Sequence, residues 1–305
     1  MNVLRVDAEG SLVHAEQARP EPQASELLVE VAYAGVNFAD LGTKDGVPGS
    51  EVSGVVAAVG EGVSGFAVGD PVVGMRAVGG YAAYTRLPAA LATKLPAAVP
   101  LDTAASVYTQ GLTAYHLLHT AGRVSSGERV LILAGAGGVG SLAIQWARQE
   151  QAGIIAVAST PEKRRHASSL GADKAIGYEE VPALGEQAVD LVLDSVGGQS
   201  FGDALKVLAT YGRIVVYGQA AGSRPELQVG QLIGRCQSVT GFSISVLGLT
   251  APERFRHGVS ALLQALAGGT LHPVVEHVYP WREAGEAWSR LRSRQSVGKL
   301  LLAFK

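Results

Sequence analysis

The sequence predicts an α/β chain in two parts, a β-rich, barrel-like domain and a doubly wound parallel sheet. Three observations carry this. Up to about residue 100 the apolar residues fall in short runs separated by glycine and proline turns. Beyond Asp102, strand-length apolar runs alternate with helix-length ones. Between the first such strand and helix stand Gly135, Gly137 and Gly140, at G-x-G-x-x-G spacing.

In the first part, Leu27–Tyr33 alternates, with Leu27, Val29, Val31 and Tyr33 on one face. Val52–Val59 is largely apolar, Gly69-Asp70-Pro71 is a turn feeding Val72-Val73, and Tyr81–Leu87 reads as a further strand. Asp102 or Thr103 is placed to cap a helix through Ala104–Ala121, with a break expected at Gly111. The α/β rhythm then runs strand Val130–Ala134, helix Val139–Glu150, strand Ile154–Ala158 and helix Pro161–Leu170, which Gly171 closes. Strands are expected near Lys174–Ile176, Leu191–Asp194, Ile214–Tyr217 and Val239–Phe242, with a helix at Ser200–Leu208. Glu253–Ala267 reads as a helix, Arg282–Arg292 as another, and Lys299–Phe304 as an extended tail that returns to the first domain.

Composition narrows the function. At 305 residues the chain has room for two domains with sizeable cores. A formal net charge of −2 gives no general electrostatic reason to bind nucleic acid or an anionic membrane. Hydrophobic residues make up 47% and charged residues 17%, the balance of a compact rather than a disordered protein. No apolar run approaches the roughly 20 residues that span a bilayer. The opening residues lack the apolar core of a signal peptide, so the expected compartment is the cytoplasm. Cys236 is the single cysteine, which excludes an intramolecular disulfide and any multi-cysteine metal cluster.

The glycine stretch carries chemistry. Gly135 is expected to permit the tight turn, Gly137 to let a pyrophosphate approach the backbone, and Gly140 to let the helix pack close to its strand. The helix start then offers unpaired N–H groups and the positive end of its dipole to phosphates. The second strand of such a unit ends where the adenosine ribose sits, and a carboxylate there selects against a 2′-phosphate. Here that strand ends in Ser159-Thr160, with Pro161 at the first helical position and Lys163, Arg164 and Arg165 following. Hydroxyls and cations favour NADP over NAD, although a solvated basic helix face would read the same way.

Ordered matches along nearly the whole chain sharpen this. They include Gly35-Val36-Asn37-Phe38-Ala39-Asp40, Val59-Gly60-Glu61-Gly62-Val63, Gly111-Leu112-Thr113-Ala114-Tyr115, Ala134–Gly140, Gly171-Ala172-Asp173 and Asp194-Ser195-Val196-Gly197. On these the sequence resembles the zinc-lacking quinone oxidoreductases, the zeta-crystallin family of the medium-chain dehydrogenase/reductase superfamily. The resemblance implies a GroES-like domain over residues 1–108, completed by 250–305, and a Rossmann NADP-binding domain over 109–249, with NADPH held in a cleft between them. It also implies roles for single residues. Gly137, Gly138 and Val139 bring backbone groups to the pyrophosphate, and Ser195 and Val196 edge the adenine or the adjoining ribose. Lys163 and Tyr178 match contacts to the 2′-phosphate, and Lys299 matches another cationic contact. Thr113 lies near the nicotinamide, or is a helix threonine bonding back to a carbonyl. Gly218 and Phe242 line the nicotinamide end.

Zinc-dependent relatives carry a histidine before the glutamate at 51, and here Ser50 stands in its place. The seven histidines show no metal-ligand spacing with a third donor, so no metal is expected. Without one, hydride transfer suits an electron-poor acceptor, a quinone or an enone. Asn37 is the candidate beside substrate and nicotinamide ribose, its alternative being a turn asparagine. Tyr108 and Tyr81 are candidate proton donors, or else packed aromatics. Asp40, Glu51 and Asp70 look structural, holding turns. Only seven residues separate Asp40 from Pro48, where the family has a longer covering loop, which implies a more open mouth. The leading reading is an NADPH-dependent quinone reductase. An enone or enoyl-thioester reductase and an NADPH-binding sensor or structural protein stand as alternatives. The β-branched run Val239–Ser245 is expected to pair with a second copy as a homodimer.

Overall fold

The structure, a computed structural model, describes residues 1–76, 78–223 and 226–304. They form two compact units, Met1–Leu112 with Ser245–Lys305, and Thr113–Ile244.

In the first unit β1 (Asn2–Val6) and β2 (Leu12–Glu16) form a hairpin. The main sheet is built on β3 (Glu26–Val36), which pairs antiparallel with β4 (Glu51–Val59) and with β6 (Tyr84–Pro88). Next to β4 come β5 (Pro71–Met75) and the short β7 (Ala92–Lys94). These segments are strands because β-branched and apolar residues recur on a two-residue period. Their inward members, among them Leu27, Val29, Val31, Val52 and Val72, are buried in one core.

Helix α1 (Leu101–His116) runs unbroken past Gly111 and continues into a wider turn at Leu117–Gly122. The expected break does not occur. A mid-helix glycine costs about 1 kcal/mol, and the burial of Tyr108 and Leu112 on either side outweighs it. The helix also starts earlier than expected, so Asp102 lies in its first turn.

The second unit alternates β8 (Arg129–Leu133), α2 (Gly138–Gln149), β9 (Gly153–Val157), α3 (Pro161–Ser169) and β10 (Lys174–Ile176). It then runs through β11 (Val189–Asp194), α4 (Gly198–Val207), β12 (Leu208–Val216) and β13 (Ser238–Gly241). All six strands are parallel in the order β10-β9-β8-β11-β12-β13. That is the Rossmann order, with its switch point between β8 and β11, where ligands of such sheets bind. The expected strand through Ser245 stops at Gly241, and α5 (Ile244–Thr250) begins instead.

The chain returns to the first unit through α6 (Pro252–Ala267), β14 (Val275–Pro280), α7 (Ala284–Arg292) and β15 (Lys299–Ala303). Strand β15 adds to β3 in antiparallel register, Leu300 opposite Val36 and Ala303 opposite Tyr33.

Candidate functional site

Two clusters collect the candidate residues, one in each unit. In the second unit the turn after β8 opens α2. The left-handed residue of that turn is Ala134, at φ +54°, rather than a glycine. Gly135 is needed for a different reason from the one expected: a Cβ there would lie 2.8 Å from the Cβ of Ala156 on β9. A Cβ on Gly140 would run into the Ala134 carbonyl and lie 2.8 Å from the Gly135 Cα. The glycine is therefore what lets α2 start so close to its strand. Gly137 stands at the N-cap in extended conformation, and no side chain caps the helix. The first N–H groups, at Gly138 and Val139, are thus left for an anion.

Around this turn, the Ala134 N–H donates to the Tyr178 hydroxyl over 3.2 Å. At the end of β9, Ser159 is exposed, and the Thr160 side chain accepts from the Lys163 N–H at the start of α3. Arg165 pairs with Glu162, and Arg164 lies within 4 Å of Glu179 and Glu180. Arg164 and Arg165 therefore have carboxylate neighbours, and the half-buried Lys163 directly precedes them in sequence.

At the end of β11 the Asp194 carboxylate accepts the N–H groups of Val196 and Gly197 at 2.7 and 2.9 Å, and so shapes the turn that carries Ser195. Burial pushes the Asp194 carboxyl up, against those two bonds. Gly218 is required by close approach, because a Cβ there would lie 2.8 Å from the Ser195 carbonyl. Phe242 follows β13 and stacks on the His116 ring at 6.4 Å. Thr113 is buried near the end of α1.

In the first unit the cluster is built on Asn37, which directly follows β3. The registers Leu300 opposite Val36 and Ala34 opposite Val52 carry Lys299 and Glu51 to that end of the strand. Gly35 makes the space: a Cβ there would lie 2.8 Å from Lys299 Nζ and would overlap the Glu51 carboxylate. Lys299 Nζ donates to Glu51 Oε2 at 2.6 Å and to Asn37 Oδ1 at 2.8 Å. Glu51 Oε1 accepts the Thr109 N–H at 2.6 Å. The Asn37 amide nitrogen lies 3.3 Å from both Ser50 Oγ and Glu51 Oε2, and Gln110 Nε2 donates to Asn37 Oδ1 at 3.3 Å. Asp40 accepts from the Asn37 N–H, Ser50 Oγ and the Tyr81 hydroxyl. Burial nonetheless raises the Asp40 carboxyl, and burial beside Asp40 pushes Tyr81 well up.

Three expectations are corrected here. Lys299 is 1% exposed and bound to Glu51 and Asn37, so it is not a cation waiting for a phosphate. Glu51 does not hold a turn; it is fully buried and bridges β4, α1 and β15. Tyr108 is 1% exposed, its hydroxyl 2.6 Å from Thr93 Oγ1 and its ring edge-on to Phe255. Burial pushes its hydroxyl up, so Tyr108 is a packed aromatic and not a proton donor. Asn37 is 8% exposed and its carboxamide is spent within the protein. The short loop after Asp40 is tied to β1, the Val6 N–H donating to the Gly46 carbonyl at 2.9 Å. Gln110 and the Lys299–Glu51 pair escape sequence reasoning, since no local pattern links positions 248 residues apart.

Comparison with known proteins agrees with this architecture. Residues 23–97 match the alcohol dehydrogenase GroES-like domain, and residues 170–302 match the zinc-binding dehydrogenase model. Among the described residues, no group of three or more His, Cys, Asp and Glu is placed to hold a metal ion, and Cys236 is exposed. A probable quinone oxidoreductase of Schizosaccharomyces pombe is 36% identical over 93% of this chain and 90% of its own. A mycobacterial protein solved with NADPH superimposes with a TM-score of 0.94, at 33% identity and 99% coverage of both chains. The Escherichia coli quinone oxidoreductase complexed with NADPH gives 0.91, at 29% identity, covering 99% of this chain and 100% of that one. With its Rossmann strand order, glycine turn and GroES-like sheet, the chain belongs to the quinone oxidoreductase family of the medium-chain dehydrogenase/reductase superfamily.

Proposed function

We propose that the chain is an NADPH-dependent oxidoreductase that delivers hydride to a quinone or a related conjugated carbonyl. The observation that carries this is the α2 start, where a glycine turn leaves the first helix N–H groups without any side-chain cap. A dinucleotide diphosphate is the ligand such a cradle fits. When bound, the coenzyme supplies the hydride. Gly137, Gly138 and Val139 hold its diphosphate through the backbone and the helix dipole. Ser159, Thr160, Lys163 and Tyr178 take the 2′-phosphate side, with Lys163 as the cation. Ser195 and Val196 edge the adenosine, and Thr113, Gly218 and Phe242 line the nicotinamide end.

The overall reaction consumes a quinone, NADPH and one proton and yields a quinol and NADP⁺. The hydride goes to the acceptor, and the proton comes from water. Tyr81 and Tyr108 are withdrawn as donors, because both hydroxyls are buried, bonded and raised. Asn37 acts as a positioning residue within its cluster. The same chemistry extends to an enone, whose conjugated carbon accepts hydride in the same way.

The decisive assay follows NADPH consumption by its near-ultraviolet absorbance with a panel of quinones and a panel of enones. Turnover with quinones supports the proposal, and turnover with enones alone reassigns the acceptor. Saturable NADPH binding without turnover on either panel would make the chain a sensor or structural protein.

We further propose a cytoplasmic homodimer. Among the described residues strand β13 pairs with β12 alone and leaves its other edge unpaired, a template that a second copy can complete. Sedimentation at micromolar concentration tests this, and a monomer would remove it. No helix among the described residues is long and apolar enough to cross a membrane.

A further inference from the structure

We propose that Gln110 carries a hydrogen-bond acceptor meant for an O–H or N–H group of a bound ligand, and that Lys299 sets this polarity through Asn37. The inference rests on the coenzyme and acceptor chemistry proposed above, and it names the group that meets one of them.

An amide side chain presents either an oxygen or an NH₂ after a half-turn, and only its hydrogen-bond partners decide which. The Asn37 cluster removes that freedom stepwise. A lysine ammonium has donors and no acceptor. Lys299 Nζ, at 2.8 Å, therefore requires the oxygen of Asn37 to face it. The Asn37 nitrogen then faces Glu51 Oε2 at 3.3 Å, which is the sign a carboxylate demands. With Asn37 Oδ1 so fixed, the group of Gln110 that approaches it at 3.3 Å must be Nε2, a donor. The Gln110 oxygen is left on the other side, covered from water and with no donor among the described residues. The carboxamide of Asn37, the carboxylates of Asp40 and Glu51 and the ammonium of Lys299 are all engaged, so this oxygen holds the cluster's open valence.

A buried acceptor left unpaired costs about 1–3 kcal/mol, and folded proteins tolerate few. Gln110 as a residue is only half-buried, on α1 beside Thr109. An acceptor oxygen binds hydroxyl or amide N–H groups and repels a carbonyl oxygen. The oxidised quinone presents only acceptors, so it is not the group that this oxygen recognises. Two sources have the right sign: a ribose hydroxyl or carboxamide N–H of the nicotinamide half of the coenzyme, and the O–H of the quinol product.

The test compares the parent protein with Gln110→Met, which keeps the side-chain length and removes the acceptor, and with Gln110→Leu, a second side chain without an acceptor. Dissociation constants are measured for NADPH and for 2′-phospho-ADP, which lacks both the nicotinamide and its ribose, together with quinol product inhibition and the melting temperature. If the coenzyme supplies the donor, Gln110→Met weakens NADPH about tenfold and leaves 2′-phospho-ADP unchanged. If the quinol supplies it, product inhibition weakens about tenfold while NADPH binding is unchanged. In either case Gln110→Leu shows the same loss as Gln110→Met. The proposal is overturned if a folded Gln110→Met changes neither constant, or if 2′-phospho-ADP is weakened as much as NADPH. Should Gln110→Met fail to fold, the leucine variant decides alone: a loss of about tenfold for NADPH or for the quinol supports the proposal, and parental binding of both overturns it. A parent protein that binds NADPH yet reduces no quinone would instead sink the functional reading, so the two failures are distinguishable.

Discussion

Replacing Lys299 with Met removes an ammonium that holds two partners in a site closed to water. Lys299 and Glu51 are 1% and 0% exposed at the side chain, with 2.6 Å between Nζ and Oε2. In Lys299→Met the Glu51 carboxylate keeps the Thr109 N–H and the Asn37 amide, but it loses its counter-ion. Breaking a buried pair in this way costs about 3–5 kcal/mol, whereas neutralising both members together is close to neutral. The first unit has roughly 170 residues, so at about 2–4 °C per kcal/mol its melting temperature should fall by about 10 °C. The double variant Lys299→Met/Glu51→Gln should recover most of that loss, because glutamine still accepts from Thr109 without a buried charge. Thermal unfolding by circular dichroism at neutral pH reads both. A Lys299→Met protein melting within about 2 °C of the parent, or a double variant melting below both single ones, would refute the reasoning.

Lys163→Glu should weaken NADPH by at least about tenfold and NADH far less, measured by fluorescence titration; equal effects would remove the 2′-phosphate assignment. Gly140→Ala must push α2 off the Ala134 carbonyl, so it should cost about 1–3 kcal/mol of stability and abolish coenzyme binding; parental affinity would contradict the close-packing argument. In the second unit Arg213 donates to both oxygens of Glu128, at 2.7 and 2.6 Å, which holds that carboxyl below its ordinary 4.5. The stability it adds is complete above that ordinary value and drains away as pH falls through the lower folded-state value. Glu128→Gln should therefore lose about 1 kcal/mol at neutral pH, with the gap to the parent closing on acidification; a gap that widens in acid would reverse the sign.

Much of the fold is legible because it is local. The β8–α2–β9–α3 run stands within a residue or two of its expected bounds, since a change of period from two to 3.6 and the glycine positions are properties of short windows. What escapes is decided at long range. The β-branched run Val239–Ser245 reads as strand to its end, yet the strand stops at Gly241 and a helix opens at Ile244. Strand β14 is mostly exposed and shows no apolar face to announce it. Gly111 reads as a helix breaker only until the burial of its neighbours is known. The same distinction governs the site. The phosphate cradle is written in one stretch of twelve residues, Arg129–Gly140. The Asn37 cluster is assembled from β3, β4, α1 and β15, and only the pairing of β15 with β3 brings Lys299 into it. A cation near the end of the chain looks like a phosphate ligand until its buried carboxylate partner is seen.

The central claim is that a phosphorylated nicotinamide dinucleotide rests on the bare N–H groups at the start of α2. Equilibrium titration of the purified protein with NADPH and with NADH tests it most directly. The expected result is saturable binding, tighter for NADPH by about tenfold or more, followed by oxidation of the bound coenzyme when a quinone is added. Absence of saturable binding by either coenzyme would contradict the account.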